Sequence, residues 1–225
     1  MKRACVLFIL FIAVNCFSQT TVSKELENFT ELKIYSGIDV ELVKSTEQKI
    51  VISGERSENV KIKNAKTTLK ISFPFFKTPY KSKVKVVVYY NKDIKIIDAN
   101  EGATITAKDF QQQSVSIKTQ EGAYINMLVT VKHLNIKAVS DGIIKLSGTS
   151  TNLIVETNSG GAFYGFDLKN ENVCSVSASL GGKAEVYTIG TLDAKVNFGG
   201  SIFYKGTPEV LKTKKVIAGS IEQKN

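Results

Sequence analysis

The sequence predicts an all-β fold, a single-domain parallel β-solenoid with coils of about 20 residues, and three observations predict it. Between residues 94 and 206 a strand-then-glycine unit recurs, as IKIIDANEG, VSIKTQEG, LNIKAVSDG, LIVETNSGG, CSVSASLGG and LDAKVNFGG. Its marker glycines, Gly102, Gly122, Gly142, Gly161, Gly182 and Gly200, stand 20, 20, 19, 21 and 18 residues apart. Within each unit apolar and polar residues alternate, as in Leu134-Asn-Ile136-Lys-Ala138, which gives each strand one buried and one wet face. A single coil cannot hide its apolar face, so coils must stack on one another. An antiparallel sandwich also has short strands and frequent turns, but it rarely returns one turn residue at a constant interval. Leucine-rich repeats share the length, but their Leu and Asn consensus is absent.

Each unit is expected to hold two or three short strands, with the six glycines supplying positive φ at sharp corners. Gly142→Val is therefore expected to hurt folding. Ahead of the repeat, residues 20–90 read as five or six strands with looser glycine spacing, so the N-terminal coils are expected to be irregular or partly hairpins. Behind it, Gly206-Thr-Pro208 and Lys212-Thr-Lys-Lys215 break the alternation, and this segment is expected to cover the open edge of the last coil. No Pro/Gly/Ser-rich linker divides residues 20–225, which are expected to form one domain.

Residues 1–19, MKRACVLFILFIAVNCFSQ, carry two basic residues, an apolar run and a polar exit. This is the pattern of a secretory signal peptide, too short for a comfortable membrane span. Export to the periplasm, the outer-membrane surface or the medium follows, with no transmembrane segment left after cleavage. Lipidation at Cys16 is the alternative, disfavoured by Asn15 where a small residue is wanted. Of the chain's 30 basic residues the leader holds Lys2 and Arg3, which leaves 28 against 21 acids, or +7. All but Arg56 of those 28 are lysines spread singly along strands, the pattern of soluble sheet faces. Nucleic-acid binding wants clustered arginine with aromatics, and is not expected.

Chemistry is sparse. Cleavage leaves Cys174 as the only thiol, flanked by Val173 and Val176 and read as a buried apolar side chain. His133 is the only histidine, outside any metal-ligand spacing, and no GxSxG elbow or phosphate-binding loop is present. Glu101, Glu121 and Asp141 each precede a marker glycine and are expected to stack about 4.8 Å apart, a candidate calcium column, or ordinary turn residues splayed into solvent. The loop Phe73-Pro-Phe-Phe-Lys-Thr-Pro-Tyr80 offers Phe75, Phe76 and Tyr80 as a docking surface, or folds back as cover for the core.

Several stretches carry a family resemblance. They are Phe29 to Leu42 with its Gly37-Ile38-Asp39 triplet, Val84 to Tyr90, Ile94 to Gly102, and Tyr204-Lys-Gly206-Thr-Pro208 with Gly219-Ser-Ile221. Together they resemble the putative auto-transporter adhesin, head GIN domain family across about residues 24–221. Asp39 stands where the family name places Asn. The resemblance implies an exported, solenoid-like envelope protein of Bacteroidetes type, without established enzymatic activity or cofactor. The expected function is adhesin-like binding of a glycan or an envelope protein through flat repetitive faces, with oligomeric state left open. The rival readings are a carbohydrate-active β-helix enzyme using Glu101, Glu121 and Asp141, and an envelope sensing module.

Overall fold

The computed structural model describes residues 21–74 and 84–225. The leader, and with it Cys16, and the loop residues Phe75, Phe76 and Tyr80 lie outside them. The chain opens with β1 (Thr21–Glu25), β2 (Glu31–Ile34), β3 (Asp39–Lys44) and β4 (Lys49–Ser53). After a 3-10 turn at Ser57–Asn59 come β5 (Lys61–Ala65), β6 (Thr68–Ser72), β7 (Lys85–Tyr90) and β8 (Ile96–Ala99). Four long strands follow, β9 (Thr104–Thr119), β10 (Tyr124–Val139), β11 (Ile143–Asn158) and β12 (Ala162–Ser179). The remaining coils are divided into β13 (Lys183–Thr188), β14 (Thr191–Asn197), β15 (Gly200–Lys205), β16 (Val210–Lys215) and β17 (Gly219–Gln223). Together they wind a parallel β-solenoid of about seven turns of roughly 19 residues, as the glycine spacing predicts.

Parallel in-register pairing follows from the sequence period. Ile125 of β10 lies between Ile105 of β9 and Ile144 of β11, and Ile136 lies between Ile117 and Val155. All six are buried, so each coil adds its aliphatic side chains to columns that run the length of the solenoid. Cys174 belongs to such a column, between Leu153 and Leu192, and burial pushes its thiol up to about 12. It is an inert core residue at neutral pH.

Two expectations about the coil need correcting. The middle coils are not two or three short strands: β9, β10 and β11 are single strands of 16 residues and β12 is one of 18. Pairing continues around the bend through register shifts, as between Met127 and Val129, so the strand turns a corner without ending. The marker glycines, in turn, form two sets. Gly102 and Gly122 do sit at positive φ, at 70° and 69°, each the second left-handed residue of a two-residue turn; the first of these turns is closed by Ala103 N–H to Asn100 O at 3.0 Å. Gly142, Gly161, Gly182 and Gly200 are one place further on and lack positive φ. Their role is close approach: a Cβ on Gly161 would collide with the Ala138 carbonyl of the coil before it.

The two ends of the solenoid differ. At the N-terminal end β2 pairs in parallel with β6 on one side and β8 on the other, and β3 likewise with β7 and β9. Strands β4 to β7 therefore double back past the first coil. Beyond it β4 runs antiparallel between β7 and β1, and β5 forms a hairpin with β6. These are the hairpins the loose glycine spacing foretells, and they cover that end. At the other end the last segment does not fold over as a cover. Among the described residues β16 pairs only with β14 and β17 only with β15, so residues 210–223 are one more coil with an open edge. Its register explains how it can end the stack: Thr213 and Lys215 stand where β14 has buried Ala194 and Val196. Polar residues in the core columns stop the next coil from being needed.

Candidate ligand-binding face

The carboxylate column is shorter than its spacing predicts. Glu101 and Glu121 are in register, both left-handed at φ 52° and 55°, both exposed, and Ser36 Oγ donates to Glu101 Oε2 at 3.1 Å. Asp141 is displaced by one residue. Gly102 N–H donates to Glu121 O at 3.0 Å, but Gly122 N–H donates to Ser140 O at 3.1 Å, so Ser140 takes the third carboxylate place. Asp141 aligns with Gly122 and lays its Oδ1 over Gly160 of the next coil. Among the described residues no group of three His, Cys, Asp or Glu side chains lies close enough to hold a metal ion. His133 is exposed, with Nδ1 3.2 Å from Asn152 Nδ2 on the neighbouring coil, and Lys137 pairs with Glu156 at 2.9 Å.

On the strand face that follows the turn, successive outward positions collect a different chemistry. Tyr164 of β12, Glu185 of β13, Phe203 of β15 and Glu222 of β17 form one column, in register across four coils. Beside it Lys183 aligns with Ser201, and on the other flank Tyr187 aligns with Lys205. The Lys183 ammonium lies 4.8 Å from the Tyr164 ring centroid and 5.5 Å from that of Phe203, and its Nζ is 2.7 Å from Glu185 Oε1. Lys224 brings a second ammonium 4.8 Å from the Phe203 centroid and pairs with Glu222 at 2.7 Å. Lys205 stands 4.8 Å over Phe166, which a register shift in β12 turns outward.

These contacts fix the face without burying it: Tyr164, Phe166, Tyr187 and Phe203 are all half-buried. The cations hold the aromatic planes and lie along them, each contact contributing about 0.5–1 kcal/mol at exposed sites. Tyr164 and Phe203 are two coils apart, about 9.6 Å by sheet geometry, with a Lys–Glu pair between them. Flat rings at fixed spacing with charged hydrogen-bonding groups between them suit a ligand that has alternating C–H patches and hydroxyls. The sequence reading missed this site, although a signal was present: Tyr164, Glu185 and Phe203 each lie three residues after a double-glycine turn.

A second concavity, of about 510 Å³, crosses the bends of β9 to β12 and is lined by Gln112, Thr130, Lys132, Ser150 and Glu171 among others. It is polar and has no aromatic wall, so it offers hydrogen bonds without a stacking plane.

Comparison with known proteins supplies the context. Residues 28–208 match the profile of the family described as putative auto-transporter adhesin, head GIN domain. A putative adhesin from Bacteroides fragilis superposes with a TM-score of 0.84 at 19% identity, over 92% of this chain and 98% of that one. A putative adhesin from Parabacteroides merdae gives 0.69 at 17%, over 93% and 98%. A putative lipid binding protein from Parabacteroides distasonis gives 0.66 at 18%, over 93% and 98%. At these identities the likeness establishes a shared fold. No curated protein matches the chain.

Proposed function

Because the chain belongs to the auto-transporter adhesin, head GIN domain family, we propose that it is an exported, non-enzymatic adhesin-like protein that binds a glycan through the aromatic–lysine face of its C-terminal coils. The observation that supports this reading is the Tyr164–Lys183–Phe203 arrangement, two ring planes held two coils apart by one ammonium. A sugar stacks its apolar C–H face on such a ring, while Lys183 and Glu185 reach the hydroxyls at its edge. Weak contacts repeated at the coil spacing add up along a polymer, which is how a shallow face gains affinity. No helix among the described residues is long and apolar enough to cross a membrane, and the leader-like residues 1–19 support export.

The test is an array of bacterial and host glycans probed with and without calcium, using the wild-type chain and the variants Tyr164→Ser, Phe203→Ser and Glu171→Ala. Selective binding that falls at least about tenfold in the two ring variants, and is kept in Glu171→Ala, supports the reading. Binding lost only in Glu171→Ala moves the site to the polar groove. A blank array turns the search to a protein partner of the envelope.

A further inference from the structure

The corner that carries Glu101 and Glu121 changes character along the solenoid. In register from the N-terminal end, the first residue of each turn is Ser36, Glu101, Glu121, Ser140, Ser159, Leu180 and Phe198, and Ile217 holds the same strand register in the last coil, where the left-handed pair, Ala218 and Gly219, comes one place later. The first five are polar. The last three are large and apolar, with exposures of 54%, 52% and 52%, and Val216 beside them is 48% exposed. A single exposed leucine needs no explanation, but three on consecutive coils at one corner form a continuous apolar ridge.

The backbone makes the ridge more unusual. Leu180 and Phe198 occupy left-handed conformations at φ 47° and 46°, where bulky side chains are disfavoured and Gly, Asn or Asp is the ordinary choice. The chain thus accepts strain and apolar exposure at the same two residues. Breaking two local rules in one place, when neither side chain is buried in return, is the pattern of a working surface. The charged residue nearest in sequence to each tip is a lysine: Lys183, Lys195 and Lys215. Lys195 and Lys214, in register with one another, are exposed along its flank, and no carboxylate lies within two residues in sequence of any of the three tips. Among the described residues neither of these two lysines forms an ion pair.

We propose that this corner inserts its apolar tips, Leu180, Phe198 and Ile217, into the interface of an anionic lipid membrane, with Lys195 and Lys214 meeting the headgroups. Charge complementarity selects this occupant. A second copy of the chain would bring the same lysines against themselves, whereas an anionic lipid surface attracts each of them. The ridge occupies only the last three coils of the corner, so the open end would meet the membrane while the Glu101 and Glu121 stretch of the same corner stands away from it. The proposal is independent of glycan binding, because it uses none of the same side chains.

The chain has no tryptophan, so Phe198→Trp introduces a single fluorophore at the ridge, and Glu121→Trp places one at the polar stretch of the same corner. Both full-length variants are mixed with vesicles of phosphatidylethanolamine and phosphatidylglycerol carrying brominated acyl chains. The expected result is a blue shift and quenching at position 198 and neither at position 121. Any membrane affinity of residues 1–19 is common to both variants and does not separate them. Leu180→Ser with Ile217→Ser, at unchanged circular dichroism, should weaken vesicle sedimentation of the Phe198→Trp chain about tenfold, and phosphatidylcholine vesicles should do the same. Equal quenching at 198 and 121, or vesicle binding with position 198 unquenched, overturns the proposal. A blue shift at 198 that follows protein concentration without vesicles also overturns it and assigns the ridge to a second copy.

Discussion

The two ends of this solenoid solve one problem in opposite ways. At the N-terminal end, β4 and the β5–β6 hairpin run back past the first coil, so the aliphatic columns finish under antiparallel strands. Ile50 and Ile52 of β4 are 0% and 1% exposed as a result. At the C-terminal end nothing among the described residues covers the last coil, and Leu211, aligned with the fully buried Leu192, is 47% exposed. The same repeat is thus sealed by extra structure on one side and by polar substitution, Thr213 and Lys215, on the other. The sealed end is expected to be the more stable of the two. The half-exposed aromatic face and the apolar corner both lie toward the open end, where surface is available.

Substitutions can break or sharpen that contrast. The largest effect is expected from Gly161→Val, whose side chain would meet the Ala138 carbonyl of the previous coil. No rotamer relieves that collision, so the variant should fail to fold to soluble protein. Gly102→Ala is the matched control. It has open space within 4 Å and only the left-handed backbone to accommodate, so thermal melting should show a loss of about 1 kcal/mol.

Next, Ile52→Ala should cost about 3 kcal/mol in denaturant unfolding, while Leu211→Ala should cost under about 1 kcal/mol. Equal costs would mean that the open end is covered in solution. A smaller effect, of opposite sign, is expected at Tyr90, which is 3% exposed and packs on Phe110 at 5.9 Å between centroids. Its buried hydroxyl has no hydrogen-bond partner among the described residues. Desolvation, with Asp109 and Asp93 adding to it, raises its pKa from 10.0 to about 12. A raised folded pKa means stability present below pH 10 that is lost as pH rises through 12. Tyr90→Phe should remove that alkaline loss and gain about 1 kcal/mol at neutral pH, measured by melting across the pH range. The smallest effect is expected from Glu101→Gln with Glu121→Gln. It relieves two exposed like charges in register, and should move the melting temperature by no more than about 2 °C with or without calcium.

Most of the architecture was legible in the sequence, because a period of about 20 residues and two-residue alternation both survive in the one-dimensional pattern. What the pattern could not carry was register at single-residue resolution. Asp141 and Gly142 look equivalent to Glu121 and Gly122, yet the turn after β10 keeps its register while its glycine falls one residue later, and only pairing reveals that Ser140 is the true counterpart. The same shift gave the glycines two distinct roles. The aromatic face was hidden for a related reason: Tyr164 and Phe203 lie 39 residues apart, and only stacking brings them to neighbouring positions around Lys183. The open C-terminal edge was missed because Lys212-Thr-Lys-Lys215 looks like a polar tail. It is a strand whose inward places have become polar.

Native-state hydrogen exchange tests the division between a sealed and an open end most directly. If the account holds, amides of β16 and β17 exchange roughly a hundredfold faster than those of β3 and β7, with protection rising coil by coil from the open edge inward. Uniform protection from residue 31 to residue 223 would contradict it and would show that the C-terminal edge is covered in solution.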